Sequence, residues 1–314
     1  MLDDIFQLGI ITSILATAVR MGTILLLAAL GELVVERAGV LNLSVEGMML
    51  SGAFAGFLGA YYSNELWIGV LFAIIAGILI SAIFGILAVI LKIDQTVSGL
   101  TVNIFSAGLT FYMYRSIFPN VGATNIPALK PFTVHEIAFL SDIPIIGDIL
   151  FSQYALSYIA ILMMVLITFF LYRTKNGLIL RTLGENPRAV DMKGINVTLY
   201  RFYAVLFGGM MAGLAGAFIT LASVGIFVAD ITSGRGWLAI AIVIFGDWKP
   251  IKILWASLFF GFIDALQMQL QALGVQLPFQ LFLAMPYILT TVAVFLARKR
   301  SGAPMALGVN YIRE

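Results

Sequence analysis

Side chains able to do chemistry are sparse in this chain, and their types favour binding over bond-making. His135 is the only histidine among 314 residues, and cysteine is absent. A metal site, a cysteine nucleophile and a disulfide framework are therefore not expected. A Ser–His–Asp triad needs convergent geometry of which the sequence gives no sign. No Gly-x-x-x-x-Gly-Lys-Ser/Thr segment occurs, so no phosphate-binding loop is recognisable. What remains is polar residues set in apolar sequence. Asp264, Gln267 and Gln271 fall at i, i+3 and i+7, one face of a helix. They are either interhelical glue or the lining of a path that can hydrogen-bond sugar hydroxyls or base edges. Asn42 and Glu46 stand at the mouth of an apolar run. They fit helix-start chemistry, with Asn42 capping and Glu46 in the first turn, or a gate. Asn103, with Thr101, is compatible with packing or with a pathway. Asp230 and Arg235 flank a glycine-rich turn and are expected to pair at the outer interface or else to contact substrate, and Arg20 is expected to be paired or snorkelling.

The elements that must hold these residues are dictated by composition. Hydrophobic residues make up 61% of the chain and charged residues 11%, with a mean hydropathy of +1.04. A soluble domain carries about 25% charged residues, so most of this surface faces something other than water. A net charge of +2 gives no reason to expect nucleic-acid binding. Met1–Phe6 holds Asp3 and Asp4 rather than a basic region, so a cleaved signal peptide is not expected. Crossing the hydrocarbon takes about 20 residues per helix. Candidate spans are 5–31, 40–61, 66–91, 96–118, 153–172, 202–228, 236–247, 253–273 and 279–297. The seventh is too short to span alone. The expected fold is an all-α polytopic membrane protein, a single domain over 1–314 with about nine transmembrane helices.

Lysine and arginine set the orientation. Arg173, Lys175, Arg181, Arg188, Lys193 and Arg201 mark a cytoplasmic loop at 173–201. Lys249, Lys252 and the tail residues Arg298, Lys299, Arg300 and Arg313 agree with it. The extracytoplasmic loop is then 119–152, where Lys130 faces Glu136, Asp142 and Asp148, and the N-terminus lies outside. Gly52-x-x-x-Gly56 and Gly209-x-x-x-Gly213, continued by Ala217, predict close helix approach, within one molecule rather than between two.

The cytoplasmic loop contains a short bounded helix, Pro187–Lys193. Asn186 suits the N-cap, Pro187 the first helical position and Gly194 the left-handed terminus. Ala189 at the third position supplies no capping box. Ala189, Val190 and Met192 are more apolar than a solvated loop needs. The segment is a docking element or a helix resting on lipid headgroups.

Gly184-Glu-Asn-Pro-Arg-Ala-x-Asp-x-x-Gly-Ile-Asn196 resembles the coupling-helix loop of the ribose/branched-chain amino acid class of ABC permeases. Glu36-Arg-Ala-Gly-Val-Leu-Asn-Leu-Ser-Val-Glu-Gly47 and the stretch Gly234–Gly246 are similar to two further segments of that class. The Glu-Arg-Ala-Gly form is most similar to permeases that work with lipoprotein receptors for purine nucleosides, with simple-sugar permeases next. The resemblance implies an importer subunit, not an enzyme, working by alternating access in the cell membrane as a multi-pass protein. It implies a cytoplasmic ATPase as partner, a second permease subunit (related or identical) and an extracytoplasmic substrate-binding lipoprotein, with no cofactor on this chain. Gly184, Glu185, Asn186, Pro187, Arg188, Asp191 and Gly194 would couple to the ATPase. Asn42, Glu46, Asn103, Asp264, Gln267 and Gln271 are the candidate pathway residues. A secondary transporter is the other transport reading, and it would need ionisable residues deep in the membrane, where Asp264 stands alone.

Overall fold

The computed structural model describes residues 8–119, 126–137, 141, 143–272, 288, 291 and 302–312. Among the described residues ten α-helices follow in order, with a separate π-helical turn at Gly147–Phe151: α1 (Leu8–Arg37), α2 (Val45–Ser63), α3 (Leu66–Ile90), α4 (Gln95–Ile117) and α5 (Ala155–Arg173). Then come α6 (Lys175–Glu185), α7 (Pro187–Asp191), α8 (Val197–Val224), α9 (Arg235–Phe245) and α10 (Pro250–Ala272). The last turns of α3 and α8, Ile86–Ile90 and Phe218–Val224, are π-helical. The all-α expectation misses one detail, an antiparallel pair of two-residue strands, β1 (His135–Glu136) and β2 (Ser152–Gln153).

Five helices among the described residues are long and apolar enough to cross a membrane: α1, α3, α5, α8 and α10. Helices α2 and α4 occupy the second and fourth expected spans with 19 and 23 residues. They fall outside the five apolar spans, and residues such as Glu46 in α2 and Asn103 in α4 dilute their apolar character. The seventh span is α9, 11 residues or about 16 Å at 1.5 Å per residue, half a bilayer. The glycine-rich flank does not lengthen it, because Asp230, Ser233 and Gly234 have φ of +59°, +48° and +80° and form turns. The ninth expected span lies outside the described residues.

The core is built on α8, which packs against α1, α2 and α3. Lipid offers helices no hydrophobic drive to associate, so close backbone approach must supply the energy. A Cβ placed on Gly52 of α2 would sit 2.5 Å from Gly213 Cα of α8, and one on Gly77 of α3 would strike the Gly209 carbonyl. The two glycine motifs therefore meet each other inside one chain. Gly52→Val is expected to destabilise the fold by about 1–3 kcal/mol through overpacking. Gly108→Val is the comparison, because nothing lies within 4 Å of a Cβ added there. Thermal unfolding in detergent separates the two, and equal melting temperatures would contradict this packing.

Candidate functional site

The 173–201 loop folds as its local chemistry dictates. Asn186 Oδ1 accepts a hydrogen bond from Ala189 N at 3.1 Å, with Pro187 at the first helical position. Gly194 has φ +77°, and Asn196 caps α8 by accepting from Leu199 N at 3.0 Å. The helix itself is shorter than expected: α7 ends at Asp191, and Met192–Gly194 form turns. Val190 is not part of the outward face. It is 3% exposed and packs with Leu183 and Val197 in a small core bordered by Ile179, Ile195, Tyr200 and Tyr311. Gly184 is buried, its α-carbon pressed between the Arg37 carbonyl and Pro304. Asp191 Oδ2 accepts from the Tyr311 phenolic hydroxyl at 2.8 Å. Glu185, Asn186, Arg188, Met192 and Lys193 remain exposed, Met192 at 78%. A mixed charged and apolar surface is thus held on a rigid base.

The polar residues of the apolar sequence form two groups. Asn42 is buried; its Nδ2 donates to Glu32 Oε2 at 2.9 Å and its Oδ1 accepts from Ser44 N at 3.0 Å. It does not cap α2, whose N-cap is Ser44. Glu46 serves another helix as well as its own. It accepts from Gly234 N at 2.9 Å, Gly236 N at 2.6 Å and the Thr232 hydroxyl. This carboxylate satisfies the orphan N–H groups at the start of α9 and complements its dipole. Asn103 Oδ1 accepts from Gly47 N at 2.7 Å, and its Nδ2 donates to the Leu43 carbonyl at 2.6 Å. Asn42, Glu46 and Asn103 thereby fasten the irregular 41–47 segment between α1, α4 and α9. Thr101 is exposed and donates only to Val97 O of its own helix.

The second group is on α10. Asp264 and Gln267 are half-buried and Gln271 is exposed. Arg235, at the start of α9, is within electrostatic reach of Asp264 and donates to the Thr232 carbonyl at 3.3 Å. The expected Asp230–Arg235 pair does not form, because the turn carries Asp230 outward. Arg20 is paired, donating to Gln153 Oε1 at 3.2 Å with its guanidinium 5.1 Å from the Tyr154 ring centre.

Sequence reading did not single out Glu32, and it named Glu36 only within a motif and Arg201 only as a basic marker of the loop; all three are buried. Glu32 and Glu36 are each 1% exposed, and Trp248 Nε1 donates to Glu36. Arg201 is 3% exposed and donates to the Ala38 carbonyl at 3.1 Å. The signal was the Glu32-x-x-x-Glu36 spacing, two acids on one face at the end of an apolar helix. Arg37 donates to the Trp248 carbonyl at 2.7 Å, so the end of α1 also holds the α9–α10 turn. In that turn Asp247 is held below the usual carboxylate range, first by the Lys252 hydrogen bond, then by Gly302 N–H and Lys249.

Comparison with known proteins gives this arrangement its context. Residues 14–295 match the family described as branched-chain amino acid transport system / permease component. The guanosine ABC transporter permease protein NupQ of Bacillus subtilis is 38% identical over 298 residues, 92% of this chain and 93% of that one. The nucleoside ABC transporter permease protein NupC of Lactococcus lactis is 34% identical over 314 residues, 96% and 97% of the two chains. TsgC13 of Haloferax volcanii, an ABC permease with a provisional glucose assignment, is 39% identical over 84% of this chain and 79% of its own. An ABC transporter solved in an inward-facing conformation shares the fold, with a TM-score of 0.51 at 13% identity over 90% of this chain and 85% of that one. These relatives are ABC transporter permease subunits rather than enzymes. The chain belongs to the branched-chain amino acid transport system / permease component family and is an ABC importer permease.

Proposed function

We propose that this permease imports nucleosides across the cell membrane by alternating access, with α6 and α7 docked on a cytoplasmic ATPase. A second permease subunit and an extracytoplasmic receptor complete the assembly, and the chain crosses the bilayer about nine times, with the 11-residue α9 covering only half of its crossing. The observation that carries the docking assignment is α7 itself, capped at both ends and seated on its own small core with Glu185, Arg188 and Met192 outward. Nucleosides are favoured because NupQ and NupC align over nearly their whole lengths. Sugar transport is the second reading, supported by the 39% identity of TsgC13. Radiolabelled guanosine and glucose offered to the reconstituted importer distinguish them. Guanosine uptake that unlabelled glucose does not compete is expected, and glucose-only uptake would overturn the nucleoside assignment.

Within the pathway we place Asp264, Gln267 and Gln271. Among the described residues neither glutamine side chain makes a hydrogen bond, which disfavours their use as interhelical glue. Gln267→Ala, Gln271→Ala is expected to keep the wild-type melting temperature while guanosine uptake falls about tenfold, the loss of one or two hydrogen bonds. Unchanged uptake by folded protein would remove these residues from the pathway.

A further inference from the structure

Residues 302–312 run across the cytoplasmic ends of the helices, and Gly302, Ala306, Val309, Asn310 and Tyr311 are hydrogen-bonded to other elements of the fold. Gly302 N donates to Asp247 Oδ1 in the α9–α10 turn at 2.8 Å. Ala306 N donates to the Gly184 carbonyl at the end of α6 at 2.8 Å. The Val309 carbonyl accepts from Arg201 Nη1 of α8 at 2.8 Å. Asn310 Nδ2 donates to the Lys92 carbonyl in the α3–α4 turn at 2.7 Å, and Gln95 Nε2 donates to Asn310 Oδ1 at 2.9 Å. Gln95 Oε1 accepts in turn from Leu41 N between α1 and α2 at 2.8 Å. Last, the Tyr311 hydroxyl donates to Asp191 of α7, and its ring borders the small core under that helix.

Helices of five residues have no stability of their own. Any force applied to α7 reaches the bundle only through what α7 is fastened to. Val190 packs it directly on Leu183 of α6 and Val197 of α8, and the 302–312 segment connects it further to the ends of α3 and α4 and to the α9–α10 turn. Arg201 reinforces the tie from beneath, since it also donates to the Ala38 carbonyl at the end of α1.

We infer that residues 302–312 are a strap that transmits movement of α7 to the cytoplasmic ends of the spanning helices, with Asn310 and Tyr311 as its positioning residues. The inference rests on the docking of α7 to the ATPase. Two small substitutions test it in the complete importer, with radiolabelled guanosine as the probe. Tyr311→Phe keeps the ring in its core and removes the bond to Asp191. Asn310→Ala removes its bonds to the Lys92 and Ile93 carbonyls and the bond from Gln95 Nε2. At equal folded abundance and wild-type melting temperature, ATP hydrolysis is expected to persist while guanosine imported per ATP falls about tenfold, as for loss of a hydrogen bond to a charged group. A wild-type ratio in the folded variants would overturn the inference. So would a parallel fall of hydrolysis, uptake and folded protein, because the strap would then only stabilise. The surface variant Glu185→Arg, Met192→Glu separates this claim from the docking claim. Normal coupling in that variant sinks the docking of α7, whereas an uncoupled surface variant beside coupled strap variants sinks the strap alone.

Discussion

Glu46→Ala is expected to cost about 3 kcal/mol or more and to abolish transport by whatever protein folds. Each hydrogen bond to a charged acceptor contributes about 1.5–3 kcal/mol, and a buried donor left alone costs its desolvation. This carboxylate accepts three such bonds, from Thr232, Gly234 and Gly236. Removing it strands the first N–H groups of α9, an 11-residue helix with little else to fix its entry angle. Gly236 permits the approach, since a Cβ there would lie inside van der Waals contact of Glu46. Glu46→Gln keeps one oxygen acceptor and loses the charge, so it should fall between wild type and alanine. Thermal unfolding and uptake measured on the three proteins check the order. A Glu46→Ala melting temperature equal to wild type would mean that this carboxylate does not hold α9.

What the sequence made legible depended on how far apart the interacting residues lie. Asn186, Pro187 and Gly194 act on their own turn, and each was assigned correctly from spacing alone. The Gly52 and Gly209 motifs announced close packing, because small residues at four-residue spacing have one common physical use in apolar helices. Their partner was not readable, as helix neighbours are set by the whole bundle. Glu46 shows the opposite limit. Its position in the first turn of α2 suggested a local role, yet its partners are some 190 residues on, in a turn whose positive φ values bring N–H groups to face it. Arg235 likewise looked like the partner of nearby Asp230, until the turn directed it toward Asp264 on α10. Val190 was misplaced because a two-turn amphipathic helix does not declare which side is covered. The 302–312 segment carries no motif of its own, and its importance lies in main-chain bonds at Gly302, Ala306 and Val309 and side-chain bonds at Asn310 and Tyr311 to residues far away in sequence.

The central claim is that α7 is where a partner ATPase drives this permease. Glu185 and Met192 project from that surface without a structural bond to the bundle, whereas Asp191 is engaged by Tyr311. Glu185→Arg, Met192→Glu therefore alters the docking face while leaving the base intact. The most direct measurement is the number of guanosine molecules imported per ATP hydrolysed, in proteoliposomes holding equal amounts of folded wild-type or variant importer. Charge reversal plus a buried charge at a docking contact costs several kcal/mol, so the ratio is expected to fall at least about a hundredfold. A ratio equal to wild type, from a variant that retains its melting temperature, would contradict the account.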